Sequence, residues 1–285
     1  MSQAFLNDDS NAKFLVDGFI ILNNIIDIDF EDTYKFFNNQ KSNVDNKFYS
    51  SLWSSNQEYR VAVDSKIKEI LSPVNAKYLN RYNPFFSDLL VKKPSLNHRL
   101  NRHQDWTFID EDTYTPVFIW CPLMNVTKRN GCIMILPKSH LYFKSIRGSN
   151  IPTGLDYKEL ERLERRYAQY LEMKKGDILI LNQSLLHASL PNRSFRNRLA
   201  LGLYCLPENI PVYHYHYDVN NKKYLKYQIN PDFILKFSSN QNFKDNLYQQ
   251  KMLRPEGMII KENTTLNRPF SKDIYVQYED SLKTK

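Results

Sequence analysis

The sequence predicts a mainly β fold of the α+β class, with antiparallel strands and helices packed on their outside. Three observations point there. Short apolar, aromatic-rich runs follow one another from Leu89 to Leu206, separated by turn residues. The chain carries 19 Tyr and 17 Phe against 7 Gly, a composition that suits pleated surfaces better than loop-rich architecture. Helical spacing is confined to segments outside those runs. At 285 residues, 42% of them hydrophobic, the chain can bury a sizeable core as one domain over 1–285, as all-β barrels of this length commonly do.

Residues 13–26 read as a strand entered through Gly18, and Asp27 to Asn38 as a helix with Phe30, Tyr34 and Phe37 on one face. Asn39 to Tyr59 is polar and reads as loop. Val61 to Leu71 reads as a second helix, closed by the Ser72-Pro73 break. Leu89–Lys93 and Leu96–His103 are strands. Pro116–Val126 is a longer strand, turned by Asn130-Gly131 into Cys132–Leu136 as a hairpin. Between Leu155 and Leu171 the period becomes helical, with Asp156 and Glu159 as a capping box and Glu161–Arg165 as an i, i+4 pair. Gly176-Asp177 launches the buried strand Ile178–Leu181. Ser184–Leu190 follows, and Arg198–Leu206 returns against it as a hairpin. Beyond Pro207 the patterning is irregular, which gives a core over about residues 13–218, an extension over about 219–285 and a loosely held tail from Leu266.

Four side chains in this frame carry chemistry. His103 and Asp105 stand two apart in Arg102-His103-Gln104-Asp105-Trp106, so on a strand both face the same way. His187 lies in Leu185-Leu186-His187-Ala188-Ser189, and Arg198 follows eleven residues later. Two imidazoles and one carboxylate suit a borderline divalent metal, and gathered on one face they leave positions open, the donor set of non-haem Fe(II) oxygenases. A planar guanidinium nearby can take a carboxylate through two parallel hydrogen bonds.

The wider pattern is more specific than His-x-Asp alone. Asn130-Gly131-Cys132-Ile133-Met134-Ile135-Leu136-Pro137-Lys138-Ser139-His140 precedes Lys175-Gly176-Asp177-Ile178-Leu179-Ile180-Leu181, then His187 and Arg198. In that order the segments resemble the phytanoyl-CoA dioxygenase family of Fe(II)/2-oxoglutarate oxygenases, over roughly two thirds of the chain from Asp17 to Pro207. The resemblance implies a double-stranded β-helix, or jelly roll. It matches His103, Asp105 and His187 to the metal ligands and Arg198 to the arginine that binds the distal carboxylate of 2-oxoglutarate. Ser189 and Trp120 fall where family members contact the co-substrate, and either Lys92 or Lys93 falls where a lysine often does, with an exposed edge lysine as the other reading. The implied reaction uses Fe(II), 2-oxoglutarate and O2, releases succinate and CO2, and hydroxylates a C–H bond of a small molecule. The carboxylate of Asp105 favours hydroxylation over halogenation, while desaturation, cyclisation and epimerisation use the same triad. The helix over 155–171 would stand beside the mouth of such a site, either as a lid or as a surface insertion. A non-oxidative cupin-like isomerase or binding module is the reading from another class, and it has no use for the Arg198 clamp.

Other histidines read as structural. His140 closes its turn, His98 faces away from His103, and His214 and His216 sit in an aromatic strand. The net charge of +8 comes from scattered lysines and arginines without a nucleic-acid motif, so it reads as a solvated surface and speaks against a nucleic-acid partner. Basic residues near the mouth would attract an anionic substrate. Cys121, Cys132 and Cys205 lie in apolar runs, as buried reduced thiols in a cytoplasmic protein would. The N-terminus lacks signal-peptide character, and no apolar run approaches the ~18 residues of a membrane span. The oligomeric state stays open.

Overall fold

In the computed structural model, which describes residues 3–40, 47–148, 151–218, 222–236, 259–263 and 269–283, the strands up to Pro207 build two antiparallel sheets. The elements are α1 (Asp8–Asp17), β1 (Phe19–Leu22), α2 (Phe30–Gln40), β2 (Phe48–Ser50), α3 (Gln57–Tyr78), β3 (Tyr82–Lys92), β4 (Leu100–His103) and β5 (Val117–Pro122). Then come β6 (Ile133–Ile135), α4 (Ser139–Tyr142), α5 (Tyr157–Tyr167), β7 (Gln169–Leu171), β8 (Ile178–Asn182), β9 (His187–Ser189) and β10 (Arg198–Pro207). The larger sheet has the order β1-β8-β5-β10-β3-β2, and the smaller β4-β9-β6-β7. This is the jelly roll that the family resemblance implied. β11 (Tyr213–Asp218), β12 (Lys223–Gln228) and β13 (Ile259–Asn263) form a third sheet, with α6 (Phe233–Lys236) and α7 (Lys272–Lys283) completing the described residues.

Strand alternation decides what each face of the larger sheet meets. Leu199, Leu201, Leu203 and Cys205 of β10 join Ile119 and Cys121 of β5 in one cluster with Phe14, Phe37, Ile67 and Leu71 from the outer helices. The residues in between, Ala200 of β10 with Phe118 and Trp120 of β5, pack against Ile133, Ile135 and Leu171 of the smaller sheet. With both faces covered, β5 and β8 are buried along their whole length, which is why their sequences show no alternation. Arg198 has the parity of Ala200 and therefore lies on the face between the sheets.

The two expected hairpins are arches. β5 pairs with β8 and β10, whereas β6 pairs with β7 and β9. β9 pairs with β4 and β6, whereas β10 pairs with β3 and β5. Each connection therefore crosses from one sheet to the other. Residues 13–17 belong to α1, which Asn7 caps and Gly18 ends at φ 83°, so the expected first strand shrinks to Phe19–Leu22. α3 runs through Pro73 instead of closing there. Proline deletes one helical hydrogen bond, and burial of Ile67, Leu71 and Val74 against the sheet outweighs that loss. Within the expected loop over 39–59, Phe48–Ser50 is an edge strand on β3, while residues 41–46 lie outside the described residues.

The tail is docked where it is described. α7 buries Tyr275 and Tyr278 in a cluster with Phe143, Leu160 and Leu163. The Tyr278 hydroxyl donates to the Pro137 carbonyl at 2.9 Å, and Lys138 Nζ donates to the Ser281 carbonyl at 2.8 Å. Glu279 pairs with Arg162 at 2.7 Å and Arg166 at 3.1 Å on α5. Tyr278→Ala is expected to cost about 3–5 kcal/mol of stability and Tyr278→Phe about 1 kcal/mol. Urea unfolding reads both, and two negligible losses would show that this helix adds nothing to the fold.

Candidate active site

His103 ends β4, and its partner across the ladder is His187, the first residue of β9. The register slips between Leu100 and His103, a bulge of the kind that re-aims a side chain beside a site. Asp105 lies past the strand end, so alternation within β4 does not place it. Other contacts do. Its N–H donates to the Gln183 carbonyl at 2.9 Å, and its own carbonyl accepts from Arg147 Nε at 2.8 Å. Arg147 is held in turn by Glu111, with contacts at 2.6 and 2.7 Å. Gln104 Nε2 donates to the Phe143 carbonyl at 2.8 Å and the Ser184 carbonyl at 2.5 Å. The segment carrying His103 and Asp105 is thus stapled to the one that leads into His187.

As a result, one ligand-capable atom from each of His103, Asp105 and His187 lies within 4.8 Å of the others. Each Nε2 stands 3.9 Å from Asp105 Oδ1. Each Nδ1 faces a backbone carbonyl two residues back, Asn101 at 2.8 Å and Leu185 at 2.9 Å. A carbonyl only accepts, so the proton sits on Nδ1 and the Nε2 lone pair is left for a cation. Burial holds both imidazoles below their usual range, the neighbouring His187 adding to the effect on His103, and burial pushes Asp105 up to about 6. Near neutral pH the site offers two neutral imidazoles and a carboxylate whose Oδ2 is buried without a hydrogen-bond partner. That donor set fits a divalent cation.

Across the cavity, Arg198 of β10 is the ladder partner of Lys92 of β3, and both are fully buried. Lys92 Nζ donates to Ser189 Oγ at 2.7 Å and to the Ser189 carbonyl at 3.2 Å. Arg198 Nε and Nη1 have no hydrogen-bond partner, and its guanidinium carbon stands 5.5 Å from the centre of the Trp120 ring. Burial pulls Arg198 down to about 10, and burial together with Arg198 pulls Lys92 down to about 7. Two neighbouring buried cations with donors to spare call for an anion. Strand parity also settles which lysine faces inward, since Lys92 shares the interior face with Arg198. Gly131, at φ 89°, makes room for it: a Cβ there would lie 2.9 Å from Lys92 Cδ. The triad, Arg198, Ser189 and Trp120 all line one cavity of about 490 Å³.

Tyr157, the first residue of α5, and Leu155 just before the helix form part of the cavity wall. Glu164 of α5 takes Arg99 at 2.8 Å and Arg102 at 2.7 Å, next to His103, while α7 grips the other side of the helix. α5 is a wall braced from both sides. His140 Nε2 meets the Leu15 carbonyl at 3.1 Å and takes no part in the triad. His214 packs against Trp106 and Phe233, as the aromatic strand suggested, and His98 is exposed. All three cysteines are buried and free. Sequence reasoning missed Arg147 and also Asp88, a buried carboxylate on the cavity wall. Each sits in a stretch without a motif, and only their burial marks them.

The family model of phytanoyl-CoA dioxygenase (PhyH) matches residues 24–200, more than half of the chain. "Phytanoyl-CoA dioxygenase 1" of Oryza sativa subsp. japonica is 32% identical over 120 residues, 41% of this chain and 42% of that protein. "Phytanoyl-CoA dioxygenase domain-containing protein 1 homolog" of Dictyostelium discoideum is 32% identical over 135 residues, 44% of this chain and 48% of that protein. The match thus spans less than half the length of these relatives. Among solved structures, SnoK, a non-heme alpha ketoglutarate dependent carbocyclase from nogalamycin biosynthesis, superposes with a TM-score of 0.51 at 15% identity, over 73% of this chain and 86% of that one. EctD from S. alaskensis, with 2-oxoglutarate and 5-hydroxyectoine, gives a TM-score of 0.50 at 18% identity, over 73% of this chain and 78% of that one. At such identities the likeness is one of fold, and it is the fold found here. Among the described residues no helix is long and apolar enough to cross a membrane. With the family match running through the segments that carry His103, Asp105 and His187, the chain belongs to the phytanoyl-CoA dioxygenase family of Fe(II)/2-oxoglutarate-dependent oxygenases.

Proposed function

We propose that this protein is a dioxygenase that hydroxylates an unactivated C–H bond of a small molecule while 2-oxoglutarate is converted to succinate and CO2. One observation carries the reading: two neutral imidazoles and one carboxylate share a cavity with a buried arginine whose Nε and Nη1 have no hydrogen-bond partner. His103 and His187 would hold Fe(II) through Nε2 and Asp105 through its carboxylate. Arg198 would take the distal carboxylate of 2-oxoglutarate, with Lys92 and Ser189 beside it and Trp120 as a wall. When bound, iron and 2-oxoglutarate supply the oxidising power.

The chain's own residues bind, orient and exclude. The Nδ1 bonds to Asn101 and Leu185 fix both imidazole planes and leave Nε2 free, while burial keeps the rings neutral. Gln183 and Arg147 fix the backbone of Asp105. Phe86, Phe118, Tyr204 and Trp106 give the remaining cavity an aromatic lining. The carboxylate of Asp105 would serve as the metal ligand whose place halogenation gives to a halide, which supports hydroxylation. SnoK carries out a cyclisation by its name, so the product itself is the test. Purified protein given Fe(II), 2-oxoglutarate and O2 is expected to form succinate slowly even without a prime substrate. With a prime substrate, one oxygen atom from labelled O2 should appear in the product. Absence of succinate under all these conditions would overturn the oxygenase reading, and a product two hydrogens lighter without label would replace hydroxylation by desaturation or ring closure.

A further inference from the structure

Arg198 and Lys92 account for an anion at one end of the cavity. Asp88 puts a buried carboxyl group on the same cavity wall. Only 3% exposed, it accepts a hydrogen bond from Ser50 Oγ at 2.7 Å through Oδ2, while Oδ1 has no hydrogen-bond partner. In the larger sheet Asp88, Gly202 and Trp120 stand in register across β3, β10 and β5. Gly202 is the gap in that row. A Cβ there would lie 2.5 Å from Asp88 Oδ1 and 2.7 Å from the Phe118 ring, so the sheet gives up a side chain where the free carboxylate oxygen stands.

Position and surroundings limit what Oδ1 can receive. Asp88 lies four residues along β3 from Lys92, ~13 Å of strand, too far for one small dianion held by Arg198 to be involved with it. Around it the cavity is aromatic: Tyr204 stacks on Phe86 at 4.2 Å and leans on Phe118 at 4.5 Å. Burial first, and after it the charge of Asp105, push Asp88 up to about 7. A carboxylate oxygen buried without a donor is costly. A cation arriving there would hold the carboxyl ionised, an ionised carboxylate can only accept, and aromatic faces favour a cation over a neutral donor.

We propose that Asp88 is a specificity-determining residue that accepts a hydrogen bond from an ammonium group on an otherwise apolar prime substrate. The proposal rests on the oxygenase reading for the word substrate alone. It departs from the anionic substrate that the net charge of +8 suggested, because the ionisable group among Phe86, Phe118 and Tyr204 on this wall is a carboxyl.

Calorimetric titration tests it with three probes of similar shape: 2-phenylethylamine, 2-phenylethanol and 3-phenylpropionate. The protein is loaded with Fe(II) and 2-oxoglutarate under nitrogen, and the series is repeated without 2-oxoglutarate. The amine is expected to bind at least tenfold more tightly than either other probe. Asp88→Asn keeps the shape and the Ser50 contact; it should erase that preference while leaving 2-oxoglutarate affinity unchanged. Equal binding of the three probes by the wild type, tighter binding of the acid or alcohol, or a preference that survives Asp88→Asn would each overturn the proposal. The wild-type ranking decides even where the variant folds poorly. A wild type that fails to bind 2-oxoglutarate overturns the reading beneath, and the amine preference measured without it still decides the role of Asp88.

Discussion

Replacing His187 by alanine is expected to abolish iron binding and 2-oxoglutarate turnover together. Both should fall by more than about 100-fold, the upper end of what losing a supporting partner of a metal ligand costs. The expectation follows from geometry: the ring sits 4.3 Å from that of His103, and its Nε2 stands 3.9 Å from Asp105 Oδ1. Removing it leaves only two candidate ligands, and the His103 side chain is partly exposed. Iron content and succinate formation measured on the same folded fraction read the effect. His140→Ala is the matched control, because that imidazole is buried against the Leu15 carbonyl and should leave iron content untouched. Iron retained at wild-type level in His187→Ala would remove the residue from the site.

Arg198→Met is expected to separate binding from stability. The methionine keeps much of the apolar stem but not the charge. Losing a charged bidentate partner costs about 2–5 kcal/mol, so 2-oxoglutarate affinity should drop by at least about 30-fold while iron still binds. The ligand-free variant should be no less stable than the wild type, because a buried guanidinium with Nε and Nη1 unfilled is a cost that folding carries. Urea unfolding with and without 2-oxoglutarate measures both effects: the ligand should raise the midpoint of the wild type and hardly move that of the variant. Lys92 adds a signature. Held down to about 7, it should rise when an anion arrives beside it, so 2-oxoglutarate binding near neutral pH should take up a proton in the wild type. Unchanged affinity in Arg198→Met would sink the co-substrate assignment.

The residues by themselves determined the donor set and its order along the chain. His103, Asp105, His187 and Arg198 were legible as candidates, because metal and carboxylate recognition each demand a narrow choice of side chain, and the structure brings them to one cavity. The buried strands were legible as well, since runs such as Ile178–Leu181 have no exposed face to interrupt them. That same uniformity hid how they pair: β5 and β8 are buried on both sides, so nothing in their pattern says which strand lies next to them. Tertiary structure therefore turned two expected hairpins into arches and brought His187 and Arg198 together from opposite sheets rather than along one ladder. It also decided that α3 passes through Pro73 and that Tyr278 ties the last helix to Pro137, because burial of distant side chains outweighs a local break or an irregular pattern. Asp88 belongs wholly to this second class. Its sequence neighbourhood, Phe86-Ser87-Asp88-Leu89-Leu90, reads as an ordinary strand, and only the register with Gly202 and the enclosure of one carboxylate oxygen give it a part at the site.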